Sequence, residues 1–92
     1  MMKVIQETEN GSWLIWCSGC EIFHEFDTKW EFNGNTEKPT FSPSLLVRYD
    51  YGEQREQRRC HSFVRDGVWE YLSDCTHKLA GQKIPVEKMP ND

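Results

Sequence analysis

Short apolar runs with partial alternation of apolar and polar residues recur along the chain, and turn residues separate them at frequent intervals. A period of two places successive side chains on opposite faces of a strand, so this pattern predicts a mostly β fold. We expect a single antiparallel domain of about six to eight short strands. The clearest strand predictions cover residues 12–16, 22–26, 29–32, 44–49, 59–64 and 68–73.

Two glycine-containing pairs predict tight connections between these strands. Asn10-Gly11 and Asp66-Gly67 fit two-residue type I′ turns, in which both central residues need a positive φ. Helix is nearly absent from the pattern, because only residues 76–81 are compatible with one short helical turn.

Two further segments are expected to lie outside the regular sheet. The stretch EKPTFSPS, residues 37–44, contains two prolines. Proline lacks the backbone donor that a helix or a central strand requires, so we expect a structured loop or an edge segment there. The polar stretch at residues 50–59 is expected to form a solvated hairpin tip.

Length and charge limit the classes of function that the chain can serve. A chain of 92 residues corresponds to one domain, residues 1–92, whose end is expected to fray from about residue 86. The net charge of −4 disfavours non-specific nucleic-acid binding, which requires a cationic surface. No apolar run reaches membrane-spanning length, and the first residues lack a signal-peptide core. We therefore expect a cytoplasmic protein with reduced cysteines.

The stretch CSGC, residues 17–20, is a C-x-x-C motif between two predicted strands. Two intervening residues let both sulfurs reach one tetrahedral ion. A redox pair would instead favour a helix N-terminus in a thioredoxin-like setting, which the neighbouring sequence does not provide. A structural zinc site needs four ligands, so the motif supplies half of one and predicts a zinc-ribbon-like fold.

The hairpin around Asp66-Gly67 offers the second half of such a site. Counting outward from a two-residue turn gives the cross-strand pairs Val64–Trp69, Ser62–Tyr71 and Cys60–Ser73. Cys60 and Cys75 then share one face of the hairpin, and His61 points to the other.

The predicted zinc ligands are Cys17, Cys20, Cys60 and Cys75. His77 is the alternative fourth ligand, because a short turn after the strand would swing it inward. A disulfide-bonded or metal-free set of cysteines is the weaker reading.

The remaining polar residues leave an enzyme open as the alternative. His61 is expected to hydrogen-bond near Asp74, and His24 is expected to be a strand-face residue rather than a ligand. Together His61, Asp74 and His77 could instead form a catalytic metal centre. No nucleophile motif such as G-x-S-x-G surrounds any serine, although Thr40, Ser42 and Ser44 either cap turns or line a pocket with His61 and His77.

The motifs WCSGC, KPTFSPS, CHSFVRDG and SDCTHKLAGQ, spread over about residues 16–85, resemble a family of small phage, prophage and bacterial proteins. Its members often carry the label ammonia monooxygenase, which does not suit a chain without a membrane span. The resemblance implies a phage or prophage origin. Relatives with Ser in place of Cys75 would favour His77 as the fourth ligand.

These observations predict a zinc-binding accessory protein that acts by binding a host or phage protein, with inhibition of host defence as one form of this role. The alternative is a metal-dependent hydrolase that uses His61, Asp74 and His77. Nucleic-acid binding through Arg55, Arg58 and Arg59 is the least favoured function, because the chain is acidic overall.

Overall fold

The computed structural model describes residues 3–88, which form eight β-strands and no α-helix. The strands build two antiparallel sheets, one of three strands and one of five. The strands are β1 (Ile5–Glu7), β2 (Trp13–Cys17), β3 (Ile22–Phe26), β4 (Glu31–Phe32), β5 (Phe41–Tyr51), β6 (Glu56–Arg65), β7 (Val68–Tyr71) and β8 (Lys83–Pro85). The predicted all-β class is therefore confirmed. Within the described range no helix could cross a membrane.

The first sheet has the order β1-β2-β3, and its first turn is wider than predicted. Of the Asn10-Gly11 pair only Gly11 has a positive φ, at 80°. The Thr8 N–H donates to the Ser12 carbonyl at 2.9 Å, which closes a longer connection between the two strands. The two-residue type I′ turn predicted here is wrong, because Asn10 keeps a negative φ.

The second sheet has the order β4-β5-β6-β7-β8, so β5 lies between two partners. Pro43 is part of β5, and the prediction that this segment avoids a central strand is wrong. The ladder with β6 passes from Phe41–Val64 to Leu45–Ser62, which leaves extra residues on β5. Proline is tolerated at such a bulge because the ladder skips its missing N–H.

The hairpin of β6 and β7 has the predicted turn and register. Asp66 and Gly67 have φ angles of 50° and 75°, as a type I′ turn requires. The predicted pairs Val64–Trp69 and Ser62–Tyr71 both form. However, β7 ends at Tyr71, so no ladder pair joins Cys60 to Ser73.

Residues 72–82 follow the hairpin as a series of turns, rather than as the short helix that residues 76–81 allowed. The Ala80 N–H donates to the His77 carbonyl at 3.2 Å, and no longer helical ladder develops. Val86 is buried, and its N–H donates to Gly67 O at 2.9 Å, although fraying was predicted from about this residue. The rest of that predicted tail, residues 89–92, lies outside the described residues.

The core lies between the two sheets and depends on large aromatic rings. Phe26 stacks on Phe41 with centroids 4.2 Å apart, and Phe32 stacks on the same ring at 4.8 Å. Trp69 is fully buried, and its indole N–H donates to the Trp16 carbonyl at 2.9 Å. This bond satisfies the buried indole and ties the second sheet to the end of β2, next to Cys17.

Candidate metal centre and candidate active site

Three cysteines and one histidine meet where the two sheets come together. Cys17 ends β2, Cys20 follows in the next turn, and Cys60 lies within β6. His77 comes from the turn segment after β7. The ligand atoms of these four residues all lie within 4.8 Å of one another, so the cluster could hold a metal ion.

The contacts inside this cluster are those of separate ligands rather than of a disulfide. The sulfurs of Cys17 and Cys60 are 3.9 Å apart, and the Cys60 sulfur is 3.6 Å from His77 Nε2. A disulfide would require about 2.05 Å between sulfurs. All four cysteines are free thiols.

A second layer of hydrogen bonds holds the C-x-x-C turn in place. The Cys20 N–H donates to the Cys17 sulfur at 3.3 Å. The Tyr71 hydroxyl lies 3.3 Å from the same sulfur and accepts the Gly19 N–H at 3.3 Å. Such outer contacts orient ligands before an ion binds.

Gly19 is required for space rather than for a positive φ. A Cβ on Gly19 would lie 2.3 Å from His77 Cε1, well inside any real contact distance. The positive φ of this turn falls instead on Glu21, at 60°. The histidine ring therefore packs directly on the bare face of the turn.

Mutual hydrogen bonds shift the pKa values of the thiols in opposite directions. Hydrogen bonds from Cys20 and Cys60 lower the pKa of Cys17 far below its usual range. The same contact with Cys17 raises the pKa of Cys20 to about 11, and contact with Cys17 also raises the pKa of Cys60 strongly. Metal binding here would release the protons that the raised pKa values favour on Cys20 and Cys60.

The predicted ligand Cys75 lies outside this group of four, and so does His24, which was predicted not to be a ligand. The Cys75 sulfur accepts the His61 N–H at 3.2 Å and donates to the His61 carbonyl at 3.1 Å. Burial raises the pKa of Cys75, so the thiol keeps the proton that it donates to the His61 carbonyl. His24 is a buried residue of β3, and its ring lies edge-on to Trp69 at 5.9 Å.

Ser44, His61 and Asp74 form a second constellation on the opposite face of β6. His61 Nδ1 is 3.2 Å from Asp74 Oδ2, and His61 Nε2 is 3.5 Å from Ser44 Oγ. The side chains of His61 and Asp74 are 29% and 43% exposed, so solvent and ligands can reach them. A hydroxyl, an imidazole and a carboxylate in this order form the arrangement of a Ser-His-Asp triad.

Neighbouring backbone contacts hold each member of the triad. The indole N–H of Trp30 donates to the Ser44 carbonyl at 3.4 Å. Thr76 takes the place of a ladder residue beside β6, because its hydroxyl accepts the Arg59 N–H at 2.9 Å and its own N–H donates to Arg59 O at 2.9 Å. With the Cys75 bonds, these contacts hold Asp74 against β6.

The structure thus separates the residues that the sequence had grouped. His61 and Asp74 pair as expected, but His77 lies on the other face with the cysteines. No sequence motif marks Ser44 as a nucleophile, yet its hydroxyl lies 3.5 Å from His61 Nε2. The only indication of this contact in the sequence was the alternative that placed Ser44 in a pocket with His61. The strand register that brings Ser44 and His61 together could not be predicted, because it depends on the bulge at Pro43.

The fold and these two sites define a small all-β protein with a candidate Cys3His metal centre and a candidate serine-based active site. The family model described as "Bacterial ubiquitination-like system serine protease (BubE)" matches residues 1–72, and the chain belongs to this family. Ser44 and His61 lie within the matched part, and Asp74 and His77 follow it. No curated protein and no solved structure matches the chain.

Proposed function

We propose that this protein is a serine protease of a bacterial ubiquitination-like system. The observation that carries the proposal is the line of contacts from Ser44 Oγ through the His61 ring to Asp74 Oδ2. The description of the family supports it independently, because that description names a serine protease.

Each residue of the triad has one role in the proposed reaction. The Ser44 hydroxyl attacks the substrate carbonyl, and His61 Nε2 accepts the hydroxyl proton as the Oγ–C bond forms. Asp74 accepts the Nδ1–H bond, which selects the tautomer that leaves Nε2 free. The imidazolium then protonates the leaving amine, and water hydrolyses the acyl-enzyme. The 3.5 Å separation of Ser44 and His61 suits a free enzyme, in which such bonds are often long.

We infer that the metal centre holds zinc in a structural role. A tetrahedral site with Zn–S bonds of about 2.3 Å and a Zn–N bond of about 2.0 Å places two sulfurs about 3.8 Å apart and sulfur and nitrogen about 3.5 Å apart. The observed separations are 3.9 Å and 3.6 Å. Four protein ligands also close the coordination shell, which is typical of structural rather than catalytic zinc.

The protein-binding accessory role predicted from the sequence stays a prediction and differs from this proposal, in which a protein segment is bound across Ser44 as a substrate. The metal-dependent hydrolase is the less favoured alternative, since it needs His61, Asp74 and His77 around one ion. The phage origin, the cytoplasmic location and a host-directed partner stay predictions.

Labelling with a small fluorophosphonate tests the proposal directly, because this reagent phosphonylates only activated serines. We expect modification of Ser44, located by mass spectrometry of the digested protein, and its loss in Ser44→Ala. Ser42→Ala is the matched control, because Ser42 is an exposed residue two positions away on the same strand. Absence of labelling in the folded, zinc-loaded protein would reject the serine mechanism.

A further inference from the structure

Beside the triad, two arginines face each other across neighbouring strands. Arg48 of β5 and Arg59 of β6 are direct partners in the ladder, and the next pair on this face is Leu46 with His61. Since side chains alternate along each strand, Ser44, Leu46 and Arg48 follow one another on the face that carries the triad.

This pairing is unfavourable unless something anionic neutralises it. Like charges directly opposite each other destabilise a sheet. Arg59 has one carboxylate nearby, Asp74 Oδ2 at 3.8 Å, which also serves His61. Arg48 is exposed, and no ion pair within residues 3–88 includes it, although Asp50 lies two residues further along β5.

The two arginines also border an open cavity of about 210 Å³. Its lining consists of Arg48, Gln57, Arg58, Arg59 and Thr76, which includes no carboxylate. A cationic pocket is notable in a chain whose net charge is −4. Leu46, 47% exposed, lies between this pocket and Ser44 and offers an apolar contact to a chain segment that spans the two.

We propose that Arg48 and Arg59 form a substrate subsite for an acidic side chain of the protein segment that the triad cleaves. The inference rests on the proposed protease function and adds the substrate class. Guanidinium groups suit this task, because they bind carboxylates through paired, charge-assisted hydrogen bonds.

Strand geometry gives the distance between the subsite and the scissile bond. Arg59 is two residues from His61, and Arg48 is four from Ser44, which corresponds to about 7–13 Å along the strands. An extended substrate advances about 3.3 Å per residue, so the acidic residue would lie roughly two to four residues from the cleaved bond.

Competition against fluorophosphonate labelling tests the subsite without requiring turnover. The probes are pairs of octapeptides that differ only by Glu or Gln, with this residue moved through each position. We expect the best Glu peptide to slow the labelling of Ser44 at about tenfold lower concentration than its Gln partner, as for a charge-assisted contact at a partly exposed site. In Arg48→Gln this ratio should approach one. Lys83→Gln, which removes the same charge from exposed β8, should keep it.

Three results would count against these ideas, and they are distinguishable. If Ser44 is labelled but Glu and Gln peptides compete equally, or neither competes, the subsite is refuted and the protease stands. If the preference for Glu survives in Arg48→Gln, the assigned residues are wrong. If folded wild-type protein is not labelled at all, the protease function fails, and the subsite fails with it.

Discussion

Cys60 and His61 are consecutive residues of β6, and their side chains serve two different sites on opposite faces of the strand. The Cys60 sulfur is 3.6 Å from His77 Nε2, while His61 Nε2 is 3.5 Å from Ser44 Oγ. The segment after β7 is divided between the same two sites, because Asp74 contacts His61 and His77 lies with the cysteines. A metal that joins Cys60 to His77 would therefore also hold Asp74 beside His61.

Replacement of Asp74 by Asn should reduce kcat by about 10²- to 10⁴-fold, because an amide stabilises the wrong imidazole tautomer and not the imidazolium. The zinc content and the melting temperature should stay near wild type, since Asp74 is 43% exposed and is not a ligand. Hydrolysis kinetics with metal analysis of the same sample check both. Glu70→Gln is the control, because Glu70 pairs with Arg65 instead. An unchanged kcat would remove Asp74 from the triad.

Metal content separates the two candidates for the fourth ligand. His77→Ala and Cys60→Ser should lose most of the bound zinc, whereas Cys75→Ser should retain one equivalent, because its sulfur bonds to the His61 backbone. Elemental analysis after dialysis gives the stoichiometry. Zinc loss in Cys75→Ser together with retention in His77→Ala would return the fourth position to Cys75.

Cys75 should act as a positioning residue for His61. Cys75→Ser keeps a group that both donates and accepts, so it should retain most of kcat. Cys75→Val has a similar volume but leaves the His61 N–H without this partner, so we expect a lower kcat. Zinc content is the control, because a general loss of structure would lower it, whereas a local effect on His61 would not. Equal kcat values in the two variants would show that these bonds do not position the triad.

A methyl group at Gly19 should weaken metal binding. In Gly19→Ala the new Cβ would meet the His77 ring at 2.3–2.4 Å, so the ring must leave its place. Gly11→Ala is the matched control, because its φ of 80° strains the backbone while nothing lies within 4 Å. Competition with a chromophoric chelator should show weaker zinc affinity for the first variant and wild-type affinity for the second. Equal affinities would mean that the ring adapts.

Acid should destabilise the domain through His77. Burial lowers the pKa of His77 below 6.5, so the unfolded chain takes up a proton at a pH where the folded chain stays neutral. Because the unfolded state then binds more protons, the free energy of unfolding falls as the pH drops below about 6.5. Proton competition with metal at the same nitrogen has the same sign. Urea unfolding between about pH 5 and 7.5 measures the slope, which should be flatter in His77→Gln.

Local turn chemistry explains which parts of the fold were predictable. Asp66-Gly67 determines its own turn, and the turn determines the register that separates Cys60 from His61. Asn10-Gly11 was mispredicted because the same residue types also fit a wider loop. The bulge at Pro43 was missed, since nothing local shows where a ladder will skip residues.

The all-β class, the β6–β7 hairpin, three of the four clustered residues that could hold a metal and the pairing of His61 with Asp74 could all be predicted from the amino-acid sequence alone. The three-dimensional fold was needed to show that His77 joins the cysteines and that Ser44 lies beside His61. Alternation along a strand sets the face of each side chain, but the segments that meet across that face depend on how the strands pair and how the turn after Tyr71 packs against β6.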